Sequence, residues 1–285
     1  MQKVNKTILI TGCSSGFGKL AAKTFWDRGW NVVATMRTPE KETELTQLKG
    51  LLVTRLDVMD LESIRQAVDA AMERFDSIDV LVNNAGYGGH ALFEQMSDDG
   101  IRRMFDTNVF GVMNMTRAVL PVMRRQKEGI IINVTSMAGM MGLPTVSIYA
   151  STKFAVEGLS EAMALEYRPL NISVKTVVPG AYPTTRFHEN TDDNLNAGGE
   201  ELASFAKNLY AQLAVLAQSM SVQGGKEADP QEVADKIYEC ATTETPVRNP
   251  VGADAEMFVE KMSRGSRQEF LNNLAGVVLP TEETS

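Results

Sequence analysis

Cysteine is scarce. The 285 residues hold two, Cys13 and Cys240, with no CxxC and no metal-type spacing. A disulfide framework is therefore not expected, and a reducing, cytoplasmic setting is. Histidine is equally rare: His90 and His188 lie far apart with no cysteine cluster nearby, so no metal site is expected. Long apolar runs are missing too. The N-terminal MQKVNKTILITG has a short apolar stretch that stops at Gly12, well short of the roughly 20 residues of a membrane span. Positive charge is in deficit, with 28 Lys and Arg against 36 Asp and Glu, a net charge of -8. That balance argues against a nucleic-acid or membrane partner. No internal repeat or low-complexity tract breaks the chain.

What is present is an alternation. TILIT (7–11), NVVATM (31–36), LLVTRLD (51–57), VLVNNAG (80–86), IIINVTS (130–136) and SVKTVVPG (173–180) are short apolar runs that read as buried strands. Between them lie helical patterns: KLAAKTFWDRG ending at Gly29, LESIRQAVDAAMERF behind a candidate cap at Asp60, a long region near 98–126 broken around Asp106–Asn108, and a helix that Pro169 stops. RTPEKETELTQLKG reads as a polar connection with a short helix. Strands alternating with helices predict an α/β fold, a doubly wound Rossmann-like parallel sheet with helices on both faces. Its site would lie at the carboxyl ends of the strands. We expect one domain over 1–285, with a substrate-capping lid at about 185–225 and a C-terminal tail at about 260–285.

The turn TGCSSGFG follows the first strand and opens a helix. Glycines let the backbone approach a ligand closely, and the helix offers free N–H groups to a pyrophosphate. The spacing is G-x-x-x-G-x-G rather than the commoner G-x-G-x-x-G. A site for NAD usually ends the second strand on a carboxylate. Here the residues are Ala34, Thr35, Met36 and Arg37. Arg37 could pair with a 2′-phosphate, which favours NADP(H) over NAD(H).

In YASTK, Tyr149 and Lys153 stand four apart, on one helix face. A free phenol titrates near about 10, and a neighbouring ammonium lowers that value. The pair is a candidate proton donor to, and acceptor from, an alcohol or ketone oxygen. Ser136, thirteen residues upstream, could offer its hydroxyl to the same oxygen.

The ordered set TGCSSGFG, NNAG at 83–86, Asn108, Ser136, YASTK and the PG at 179–180 resembles the short-chain dehydrogenase/reductase family, from about residue 7 to 260. The resemblance implies a sheet of about seven strands, a nicotinamide cofactor and an alcohol–carbonyl reaction. It implies Tyr149 as general acid and base, and Lys153 depressing the Tyr149 pKa and binding the nicotinamide ribose. Ser136 would bond the substrate oxygen, and Asn108 would kink its helix and hold a relay water. On the cofactor it implies Gly12, Ser14, Ser15, Gly16, Phe17, Gly18 and Arg37, with Asp57 and Val58 beside adenine. Asn83, Asn84, Ala85 and Gly86 would line the adenosine side. Pro179, Gly180, Tyr182 and Thr184 would contact the nicotinamide amide, Tyr182 standing where relatives often carry a small aliphatic residue. Family members commonly form dimers or tetramers through helices around 107–126 and 149–167.

Sixteen methionines include Met137, Met140, Met141 and Met220 near the expected site. They suit either core packing or an adaptable apolar pocket, with FAKNLYAQLAVLAQSM (205–220) as roof or interface. The expected activity is NADPH-dependent carbonyl reduction, or the reverse, on a small to medium apolar substrate. The tail PVRNPVGADAEMF looks like hydroxysteroid- or retinol-oxidising relatives. Two alternatives are a non-catalytic NADP(H)-binding regulator and a nucleotide-sugar epimerase or dehydratase.

Overall fold

The structure, a computed structural model, describes residues 5–185, 194–223 and 226–278. His188 and the Asp192–Asp193 pair lie outside the described residues, as do parts of the expected lid and tail. The Met220 side chain is likewise outside them.

Seven strands form one parallel sheet: β1 (Thr7–Ile10), β2 (Asn31–Met36), β3 (Leu52–Arg55), β4 (Val80–Asn83), β5 (Gly129–Val134), β6 (Ile172–Pro179) and β9 (Arg248–Val251). Their order is β3-β2-β1-β4-β5-β6-β9. The direction of winding reverses between β1 and β4, where an open α/β sheet leaves a crevice at its carboxyl edge. A short ribbon, β7 (Val222–Gln223) and β8 (Lys226–Glu227), stands apart.

Strand alternation explains the layers. On β1, Ile8 and Ile10 join the core beneath α1 (Gly16–Asp27) and α7 (Gln231–Thr242) with Phe25, Val32, Val82 and Ile237. Leu9, between them, faces the other core with Val33, Leu81, Ile131, Met115 and Met123. That second layer is α2 (Leu61–Phe75), α4 (Gly111–Gln126) and α5 (Ser147–Tyr167). Asp60 caps α2 as expected, its side chain accepting the N–H of Glu62 and Ser63. The predicted break near Asp106–Asn108 is a π-helical turn, Asp106–Phe110, between α3 (Asp98–Phe105) and α4.

Two expectations change in detail. The helix expected in RTPEKETELTQLKG is two short 3-10 turns, Pro39–Lys41 and Leu45–Gln47. The strands expected over 51–57 and 80–86 end earlier, at Arg55 and Asn83. Beyond Asn83 the chain leaves the sheet because Asn84 Nδ2 donates to the carbonyls of Thr11 and Gly12 at 2.9 and 3.1 Å. Helix α6 (Glu200–Ser221) packs with α8 (Ala253–Ser263) and α9 (Arg267–Val278), through an apolar cluster of Met141, Phe258, Phe270, Leu274 and Leu213. Phe110, Phe154 and Leu165 stay exposed on the α4–α5 face expected to join subunits.

A buried polar chain locks β4 and β5 to the helices. Asn83 Nδ2 donates to Asn133 Oδ1 at 2.9 Å and to Thr116 Oγ1 at 3.2 Å. Asn133 Nδ2 donates to Ser160 Oγ at 2.8 Å. Asn133→Ala should lower unfolding stability by about 1–3 kcal/mol, because it strips partners from two buried groups. An unchanged denaturation midpoint would contradict that.

Candidate active site

Helix α5 starts at Ser147 behind Val146, which pairs with Ala91 in an isolated parallel bridge. This places Tyr149 and Lys153 one turn apart on the crevice side. Lys153 Nζ stands 5.6 Å from the Tyr149 ring centre and donates to the Val134 carbonyl at 3.0 Å. Ser136, two residues beyond β5, is extended, and its Oγ accepts the Ala138 N–H at 3.2 Å. The Ser136 hydroxyl lies close enough to the Tyr149 phenol to oppose the rise in its pKa. Three residues expected to act on one oxygen are thus assembled.

The electrostatics differ from expectation. Burial pushes the Tyr149 phenol up to about 12, against the lowering effect of the Ser136 hydrogen bond. Burial also brings the Lys153 ammonium down to about 8, with the Glu157 carboxylate holding it up. The expected depression of Tyr149 by Lys153 does not appear: burial is the largest influence and raises the phenol, and Ser136 alone opposes it. Glu157, one turn beyond Lys153, is buried; it accepts from Thr135 Oγ1 at 2.5 Å and pairs with Arg248 Nε at 3.1 Å.

Asn108 sits in the π turn, 1% exposed. Its Nδ2 donates to the Tyr87 carbonyl at 2.8 Å and to Thr152 Oγ1 at 3.2 Å. Its Oδ1 accepts the Tyr87 N–H at 3.0 Å. A β-carbon on Gly86 would lie 3.0 Å from Asn108 Oδ1 and 3.7 Å from Lys153 Nζ, so the three residues adjoin.

The glycine turn lies across the crevice. Gly12 has φ 74°, and a β-carbon there would come within 2.9 Å of Ala85 Cα, so no other residue fits. The Ala85 N–H donates to Thr11 Oγ1 at 3.0 Å. Ser14 is exposed, and Ser15 caps α1 in extended conformation without a side-chain capping bond. A β-carbon at Gly16 would meet no atom within 4 Å, and Gly18 is buried. Arg37 is exposed and forms no ion pair among the described residues. Lys19, by contrast, is held by Glu42 and Glu44 at 3.2 and 2.9 Å. Asp57 Oδ1 accepts the Met59 N–H at 3.0 Å, and Val58 is buried against Gly111. Asn83 is the exception. Its side chain turns away from the crevice into the Asn133 network, since it is still part of β4 and faces the α4 side.

A family profile described as short chain dehydrogenase matches residues 6–195. The chain belongs to the short-chain dehydrogenase family. Among relatives, an uncharacterized oxidoreductase, YusZ, of Bacillus subtilis is 38% identical over 262 residues, covering 87% of this chain and 90% of its own. A 3-ketodihydrosphingosine reductase of Bacteroides thetaiotaomicron is 41% identical over 203 residues, covering 71% and 74%. The crystal structure of a short-chain dehydrogenase from Streptomyces avermitilis superposes with TM-score 0.82 at 31% identity, over 95% of this chain and 96% of that one.

Short-chain dehydrogenases use a nicotinamide cofactor, and the residues present fit one. The uncapped α1 N-terminus, the open space at Gly16 and the unpaired Arg37 all suit phosphate groups. The segment expected to meet the nicotinamide is held by a residue that sequence reasoning missed. Asp254, buried at the start of α8, accepts the Ala181 N–H at 2.7 Å. A β-carbon on Gly180 would fall 1.8 Å from Asp254 Oδ1, so glycine is required there. The signal lay in GAD after β9, a glycine and an acid at a helix start. Pro179 ends β6. The Tyr182 ring is 5% exposed, packs edge-on to Phe17 at 5.4 Å, and donates its hydroxyl to Glu232. That ring is committed to the core, so only its backbone is free to meet a ligand; Thr184 is exposed.

Next to these groups is a cavity of about 440 Å³, lined by Met137, Met141, Leu143, Ala181, Tyr210 and Leu274, among others. His90 also lines it, with its ring centre 4.5 Å from that of Tyr210. Among the described residues no group of His, Cys, Asp and Glu could hold a metal, and no helix is long and apolar enough to cross a membrane. Both cysteines are free and buried.

Lys153 links the site to stability. Its ordinary value is 10.5 and its folded value about 8. Between these values the unfolded chain binds the extra proton, so stability should rise with pH. From about pH 8 to pH 10 the wild type should gain about 2–3 kcal/mol relative to Lys153→Met. Urea unfolding across that range measures the difference. Parallel stability–pH curves would contradict the assignment.

Proposed function

We propose that this short-chain dehydrogenase interconverts a ketone or aldehyde and an alcohol by hydride transfer, prefers NADP(H), and acts on a small to medium apolar substrate. One observation carries the reading: Ser136, Tyr149 and Lys153 are brought together beside an apolar cavity of about 440 Å³. The size suits a small-molecule site. The thioethers of Met137 and Met141 and the rings of Tyr210 and Phe258 give it an adaptable apolar lining.

In reduction, the Ser136 and Tyr149 hydroxyls bond the carbonyl oxygen. Tyr149 keeps its proton until charge develops on that oxygen, then donates it. The raised phenol value favours this acid form in the resting protein. Lys153, fixed by the Val134 carbonyl, offsets the phenolate left behind. It would also hold the cofactor's ribose. Asn108 fixes the Tyr87 backbone beside these residues. When bound, the nicotinamide supplies or accepts the hydride. In oxidation the same residues act in reverse, with Tyr149 as base.

The preference for NADP(H) is supported by Arg37 at the end of β2, exposed and without a carboxylate beside it in the strand end Ala34–Met36. The ketone reading agrees with the name of the Bacteroides relative, a keto-compound reductase.

NADPH oxidation should be followed with aromatic, aliphatic, keto-ester and steroid carbonyls. Tyr149→Phe should lose roughly 10²–10⁴ in kcat/KM while still binding cofactor; near wild-type turnover would remove Tyr149 from its role. Arg37→Ala should lower the NADPH-to-NADH efficiency ratio by roughly tenfold. An unchanged ratio would contradict its part in cofactor choice.

A further inference from the structure

The wall of the cavity nearest α5 is the segment Leu143–Val146. Within it Thr145 adopts φ 61°, in the left-handed region. A β-branched side chain is rarely found there, since its Cβ crowds the backbone. Thr145 is also 3% exposed, and its Oγ1 has no hydrogen-bond partner among the described residues. A buried hydroxyl without a partner is unfavourable in its own right. Both unfavourable features fall on one residue of an otherwise mostly apolar wall.

The conformation is held by the adjoining segment at Ala91. The Thr145 carbonyl accepts the Ala91 N–H at 2.8 Å, and Ala91 bridges to Val146. Asparagine or glycine would relieve the backbone, and valine would remove the stranded hydroxyl. Threonine does neither. Strain of this kind is kept where the surroundings over-determine it, and it gathers at ligand sites.

We propose that Thr145 is a specificity-determining residue whose Oγ1 hydrogen-bonds a second oxygen function of the substrate. The substrate class is then an apolar hydroxy ketone, or the diol that is its reduced form. Thr145 can donate to or accept from that second group. This rests on the reading of the site as an alcohol–carbonyl oxidoreductase, which it deepens. A site built to bond a substrate hydroxyl discriminates strongly against the analogue that lacks it, because its own polar group is then left unpaired.

The test uses pairs of ketones with one carbon skeleton, with and without a neighbouring hydroxyl. The wild type should favour the hydroxy ketone in kcat/KM. Thr145→Val should reduce that preference by at least about tenfold, mainly through KM, and Thr145→Ser should keep it. An unchanged preference in Thr145→Val would overturn the proposal. Binding is read separately, from the thermal shift each protein shows with the matching diol and mono-alcohol. A larger shift with the diol in wild type and Thr145→Ser, lost in Thr145→Val, supports the proposal even if no ketone is turned over. Equal shifts in all three proteins overturn it. Failure of the oxidoreductase reading would show instead as no turnover of either ketone.

Discussion

The bond from the Lys153 ammonium to the Val134 carbonyl joins helix α5 to the end of β5, and the site depends on it. It places a cation in a buried position at the carboxyl edge of the sheet, where Ser136 and Tyr149 also stand. Burial alone would drive the charge off. Glu157 opposes this from one turn further along the helix, and is itself held by Thr135 and Arg248. The same helix is therefore anchored to β5 at Asn133 and Val134, to Thr135 just beyond it, and to β9 through Arg248, which pairs with Glu157 and Glu161. Those anchors fix the phenol relative to the crevice before any ligand arrives, which is what preorganised catalysis requires.

Much of the fold was legible because one rule governs it. Strands buried on both faces read as continuous apolar runs, and β1, TILI, is buried throughout. Ile8 and Leu9 then point to opposite cores simply because they are neighbours on a strand. The break around Asn108 was also visible, and the π turn gives it a physical form. The ordered motifs singled out Asn108, Ser136, Tyr149 and Lys153 because the expected chemistry requires those residue types. Asn83 shows the limit. A motif names a residue, while the last hydrogen bond of the strand decides which way it faces, and Asn83 belongs to β4 rather than to the turn that follows.

Other features were hidden for reasons that concern distance in sequence. Asp254 supports Gly180 from the far end of the chain, and Leu274 reaches the cavity from a tail that looked peripheral. Pairings of that separation leave no local pattern. Thr145 was hidden differently. Its identity is ordinary, and only its left-handed backbone and partnerless hydroxyl make it unusual. The phenol's balance was misjudged from sequence because a spacing of four residues reports the nearby charge and says nothing about solvent.

The pH dependence of carbonyl reduction tests most directly whether the Tyr149 proton is the one transferred. With a ketone found in the panel, kcat/KM of the wild type should fall in two steps as pH rises, one as Lys153 loses its proton and a second as alkali titrates the phenol, and the second step should be missing from the residual rate of Tyr149→Phe. The same second step in both proteins would show that another group donates the proton and would contradict the account.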